Sequence, residues 1–127
     1  MTPSSPTILE QRLALDASGA GARTLLRSLP KEDSDLHIAH KADGSLVSDA
    51  DMMSQQAIMA ILDGSKLPVL SEESAAPSHK DRKDWARYWL VDPLDGTESF
   101  LRSRSGFAVN IALCDETGPI YGVVADP

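Results

Sequence analysis

The apolar positions near the start of the chain recur at helical spacing. Leu9, Leu13, Ala17, Ala20, Leu25 and Leu29 form a stripe and Pro30 ends it, so residues 7–29 are expected to be one amphipathic helix. Gly19 and Gly21 either weaken its middle or let another backbone approach closely. "DLHIAHKADGSLVS", residues 35–48, offers two short extended pieces around an Asp43-Gly44 turn. A second helix is expected from Ser48 or Asp49, with Met53, Ala57, Ile61 and Leu62 facing inward and Gly64 as its stop. Val69 and Leu70 read as a short buried strand that ends in Glu72 and Glu73.

Polar residues 75–84 are expected to form an exposed loop. "RYWLVD" then reads as a strand, with Trp89 and Val91 on one face and Tyr88 and Leu90 on the other. "TESFLR" allows a single helical turn. Phe107, Val109, Ile111 and Leu113 alternate with smaller residues, which predicts the first of two long strands joined by a turn at Asp115 to Gly118. The expected class is α+β, with two helices packed on a mainly antiparallel sheet. Residues 1–127 are expected to be a single unit, because 127 residues suit one domain. The chain ends on "GVVADP", with nothing to cover the hairpin, so it reads as the N-terminal portion of a longer one.

Bulk composition narrows the function. The net charge of −7 argues against a nucleic-acid polymer as partner, though not against a phosphorylated small molecule, because bound divalent cations reverse the local sign. The single cysteine, Cys114, is read as a small core residue in a reducing compartment. No segment resembles a signal peptide or a membrane span. A cytoplasmic protein, at most peripherally attached to an inner membrane, is the expectation. His37, His40 and His79 lack ligand spacing and are taken as surface residues.

The chemistry gathers around "YWLVDPLDGTESF", residues 88–100. Asp-Pro-x-Asp-Gly is good turn chemistry in itself. Yet Asp92 and Asp95 close an apolar strand, where α/β sheets tend to hold ligands, and Glu72 and Glu73 close another. Carboxylates brought together at one sheet edge repel unless cations neutralise them, and Mg²⁺ prefers such oxygen ligands. The carbonyl of Leu94 is a natural further ligand. Gly96 and Thr97 open a helical turn whose N–H groups suit a phosphate. Asp51 has two readings: the third helical position of a capping box begun by Ser48, or a base that reaches Thr97 and helps to deprotonate a water.

These segments resemble the inositol monophosphatase-like superfamily of Mg²⁺-dependent phosphatases. "WLVDPLDGT" looks like its signature. "KADGSLVSDAD", "VLSEES" and the paired strands after the signature are similar in order and spacing. Within it, "YWLVDPLDGT", "FAVNIAL" and "LSEE" look most like the bacterial 3′(2′),5′-bisphosphate nucleotidase branch. The resemblance implies the N-terminal part of a layered α/β/α/β/α sugar-phosphatase-like fold. It implies Glu72, Asp92, the Leu94 carbonyl and Asp95 as ligands of Mg²⁺, and Glu72, Leu94, Asp95, Gly96 and Thr97 as the substrate's surroundings. Asp51 and Thr97 are implied as the pair that activates water. The implied reaction converts adenosine 3′,5′-bisphosphate to AMP and phosphate. An inositol-1-phosphate or other sugar phosphatase is the alternative, and a truncated, inactive remnant that binds a cation or a partner chain is the reading of another class. A homodimer is compatible with all three. Ser48 stands where the superfamily usually has Thr, and Glu98 where the nucleotidase branch usually has Lys.

Overall fold

The computed structural model describes residues 4–29, 43–71, 84–103 and 105–127. Helix α1 spans Ile8–Ser28, as its apolar spacing predicts. Its start is fixed by a capping box: the Thr7 hydroxyl accepts from the Glu10 N–H at 3.0 Å, and the Glu10 carboxylate accepts from the Thr7 N–H at 2.7 Å. The buried face, however, is Ala14, Ala17, Ser18, Gly21, Ala22 and Leu25, and Leu9 is 56% exposed. The stripe is rotated toward small residues because another helix lies close against it.

That helix, α2, spans Asp43–Leu62. It begins well before Ser48, so Asp43 and Gly44 open a helix and form no turn between strands. The extended pieces expected before Asp43 lie outside the described residues. From Asp49 onward its buried residues are Ala50, Asp51, Ser54, Ile58 and Leu62, while Met53 is half exposed. Ile58 and Leu62 keep their places on the buried face, and Ser54 rather than Met53 faces α1 beside Ile58. At the contact, a Cβ on Gly21 would stand 2.9 Å from Ile58 Cδ1 and 3.0 Å from Ser54 Oγ. Gly21 therefore serves close packing against side chains of α2. A 3₁₀ turn, Asp63–Ser65, follows, and the left-handed residue that ends it is Lys66 (φ 61°), not Gly64.

Among the described residues, four strands make one sheet in the order β1 (Val69–Ser71), β2 (Arg87–Asp95), β3 (Ala108–Asp115), β4 (Gly118–Ala125). The β1–β2 pair is parallel and the other two pairs are antiparallel, so the sheet is mixed and mainly antiparallel, as expected. Trp89, Val91, Val109, Ile111 and Leu113 are buried with the helices, and Leu90 is 43% exposed on the other face. Alternation along β2 and β3 thus follows the sequence pattern. Helix α1 lies against β3 and β4, and α2 lies against β2. The Trp89 indole donates to Ser65 Oγ at 2.9 Å, which ties β2 to the end of α2. Cys114 is buried and free, and burial raises its thiol pKa, in keeping with a core residue.

One charged pair crosses the fold. Arg87, at the start of β2, donates twice to the Glu10 carboxylate, each at 2.7 Å. The Arg87 hydrogen bonds hold the Glu10 carboxyl below its ordinary range, against the opposing effect of burial. Capping carboxylate and ion-pair partner are therefore one group. Among the described residues, no helix is long and apolar enough to cross a membrane.

Candidate metal and phosphate site

The segment that reads as a turn, Asp92-Pro93-Leu94-Asp95, is part of β2 and carries a bulge. Asp92 pairs with Asn110 and Asp95 with Ala108, so three steps along β2 match two along β3. In a regular strand, residues three apart point to opposite faces. The extra residue cancels that offset and turns both aspartates to the face of Asn110. A side-chain contact agrees: the Asn110 amide donates to Asp95 Oδ2 at 3.2 Å. Pro93 and Leu94 are buried between them, and the Leu94 N–H donates to Asp92 Oδ1 at 3.3 Å. Sequence reasoning missed Asn110. Its signal was a lone amide in "FAVNIALC", at a position alternating with the buried valine and isoleucine.

Gly96 leaves the bulge with φ 84°. Helix α3, Thr97–Ser103, follows and is longer than the single turn expected. The Gly96 carbonyl accepts the Phe100 N–H at 2.9 Å. Helix geometry leaves the first N–H groups without an intrahelical acceptor, and those begin at Thr97. Phe100 packs edge-on against Phe107 with ring centres 5.1 Å apart, which anchors α3 to the approach of β3. Asp95, Thr97 and Glu98 are exposed and Asp92 is half-buried.

Asp51 is 5% exposed and lies deep within α2, so it cannot be the third residue of a capping box. One turn later, Ser54 Oγ donates to the carbonyl of Pro93 at 2.8 Å. Asp51 therefore sits on the buried face of α2 that meets the bulge, and α2 also touches α3. Among the described residues, no three histidine, cysteine or acidic side chains are grouped closely enough to hold one metal ion. Glu72 and Glu73 lie outside the described residues. Glu72 follows Ser71 directly, and Ser71 pairs with Val91, the residue before Asp92. The donor chemistry fits a hard cation: Asp92 and Asp95 share one face, and the residues flanking them supply only oxygen ligands.

Helices on a mainly antiparallel sheet, with two aspartates turned together by a bulge before a short helix, make up the fold class that the sequence resembles. The chain belongs to the inositol monophosphatase family, whose pattern it matches over residues 9–127. It is 46% identical over 97 residues to the 3′(2′),5′-bisphosphate nucleotidase CysQ of Escherichia coli K12, an alignment that takes in 72% of this chain and 38% of that protein. The structure of CysQ from Bacteroides thetaiotaomicron is similar at a TM-score of 0.80 and 38% identity, over 91% of this chain and 41% of that one. The extragenic suppressor protein suhB from Bartonella henselae gives 0.67 and 28%, over 90% and 42%. The chain thus spans about two-fifths of the length of the relatives it matches.

Proposed function

We propose that the whole protein carrying this chain is a Mg²⁺-dependent phosphomonoesterase that removes the 3′-phosphate of adenosine 3′,5′-bisphosphate. The observation that carries the reading is the bulge that turns Asp92 and Asp95 to one face beside Asn110. The identity to CysQ nucleotidases supports the substrate. Glu72, Asp92, the Leu94 carbonyl and Asp95 would hold the cation, which supplies a more acidic water and neutralises charge on the phosphate. Gly96 and Thr97 receive the phosphate through their N–H groups. Thr97 orients the attacking water, and Asp51 takes its proton. The water oxygen forms the new bond to phosphorus as the ester P–O bond breaks. The departing 3′-oxygen takes a proton from solvent water and leaves as a hydroxyl.

One observation favours a second substrate class. Glu98 is exposed one residue beyond Thr97, and its charge would repel the second phosphate of a bisphosphate. An inositol or other sugar monophosphate avoids that repulsion. Phosphate release from adenosine 3′,5′-bisphosphate and from inositol 1-phosphate, each with and without Mg²⁺, tests both readings. Faster Mg²⁺-dependent release from the bisphosphate is expected. No release from either substrate sinks the phosphatase reading, and preference for the inositol ester sinks the nucleotidase one.

A further inference from the structure

Ser54 behaves unlike three hydroxyls of α1. Ser18, Thr24 and Ser28 each donate back to a carbonyl of their own helix, respectively Leu15, Ala20 and Thr24. That is the ordinary choice for a hydroxyl in a helix interior. Ser54 instead reaches out of α2 to the Pro93 carbonyl, inside the bulge between the two aspartates. Regular ladder pairing lapses at a bulge, and a buried carbonyl there needs a donor from elsewhere.

The next residue makes a matching contact. Gln55 Oε1 accepts from Ser71 Oγ at 2.9 Å. Ser71 is buried, ends β1, and precedes Glu72. Because β1 and β2 are parallel neighbours, Ser71 at the end of β1 lies beside Val91, the residue before Asp92, across a strand spacing of about 4.8 Å. Two successive residues of one helix thus hold β1 at its last residue, which precedes Glu72, and β2 at the bulge that carries Asp92 and Asp95. Gly21 of α1 backs Ser54 so closely that even a Cβ would crowd its hydroxyl.

We propose that Ser54 and Gln55 are positioning residues that set the spacing between the end of β1, after which Glu72 follows in sequence, and the bulge of β2 that carries Asp92 and Asp95, and thereby the affinity of the site for a divalent cation. This rests on the reading of the site given under Proposed function. Neither residue ligates the ion. Ser54 fixes backbone, and Gln55 a side chain, next to residues that would, and loss of such support typically weakens a metal site on the order of tenfold or more.

The test is calorimetric titration of Mn²⁺ into the metal-free whole protein, alongside its melting temperature. Ser54→Ala and Ser71→Ala each remove one strand contact. Ser18→Ala is the control, because it removes a buried hydroxyl whose bond stays within α1. The expected result is an Mn²⁺ dissociation constant raised on the order of tenfold in S54A and S71A and unchanged in S18A. The metal-free melting temperature should fall by a similar few degrees in all three. Wild-type affinity in a folded S54A overturns the proposal. If S54A does not fold, S71A decides by the same criterion. Absence of Mn²⁺ binding by the wild-type protein removes the metal reading and this proposal together, whereas equal binding by wild type and variants removes this proposal alone.

Discussion

Gly96 and Gly106 approach so closely that a Cβ on Gly96 would stand 2.7 Å from the Gly106 carbonyl oxygen. The Cα of Phe107 would lie 3.2 Å from that added Cβ, so the obstacle is backbone and cannot swing aside. Gly96 also has φ 84°, a conformation that costs other residues about 1–3 kcal/mol. Gly96→Ala should therefore lower stability by at least about 2 kcal/mol, since strain and collision act together. It should also displace Thr97, the next residue. Thermal denaturation and kcat on the best phosphate ester check both effects, and a variant with wild-type values of each would mean that α3 can shift without consequence.

Asp51 and Asp95 differ in burial, and their roles should separate accordingly. Asp95 is exposed, so Asp95→Asn should leave stability within about 0.5 kcal/mol of wild type. Loss of an ionic ligand should nonetheless abolish tight Mg²⁺ binding and turnover. Asp51→Asn should spare Mg²⁺ affinity and reduce kcat by about 10²–10⁴, the usual size of a general-base contribution. Calorimetry and steady-state kinetics on the same preparations distinguish the two. A D51N protein with normal kcat and a lowered melting temperature would assign Asp51 to the packing of α2 instead.

The elements most legible in the sequence were those whose burial follows a simple period. Trp89/Val91 against Tyr88/Leu90, and Phe107 to Leu113, alternate as a half-covered strand must, and both strands lie where that pattern places them. Helix faces were less legible, because size misleads where helices cross closely. Leu9 and Met53 are more hydrophobic than Gly21 and Ser54, yet only the small pair lets α1 and α2 approach. At the site, the aspartates were legible as residue types but not as geometry. Asp-Pro-x-Asp-Gly has the composition of a turn, and only pairing with β3 shows that it stays in the sheet and bulges. The contacts of Ser54 and Asn110 are long-range choices, and no local pattern announces them.

Close packing of the helices leads to a further expectation. A methyl at Gly21 would meet Ile58, which is fully buried, and the Ser54 hydroxyl, which is held by Pro93. Neither neighbour can retreat without disturbing the core or the bulge. Gly21→Ala should therefore destabilise by about 1–3 kcal/mol, the usual range for overpacking, despite alanine's better helix propensity. Gly64→Ala is the comparison, because a Cβ there meets only Leu13 methyls at 3.5 Å or more. Urea midpoints of the two variants measure the difference, and equal midpoints would show that α1 and α2 slide apart freely.

The Glu10–Arg87 pair predicts how stability depends on pH. Arg87 holds the Glu10 carboxyl below its ordinary value of 4.5, so the folded state binds its proton less readily than the unfolded state does. A depressed carboxyl contributes stability that is fully present above the unfolded value and is lost as pH falls through the folded one. The contribution should therefore be constant from neutrality down to about pH 5 and fade at lower pH. Glu10→Gln keeps the shape of the capping box but removes the charge, and at pH 7 it should cost about 2 kcal/mol, the usual worth of hydrogen bonds to a charged group. Below the depressed folded value the wild-type carboxyl becomes neutral in the folded state too, and the gap between the two proteins should close. Urea unfolding of wild type and E10Q between pH 7 and pH 3 reads that gap directly. A difference that stays constant across the range would mean that Glu10 matters for its cap alone and that its pairing with Arg87 contributes nothing.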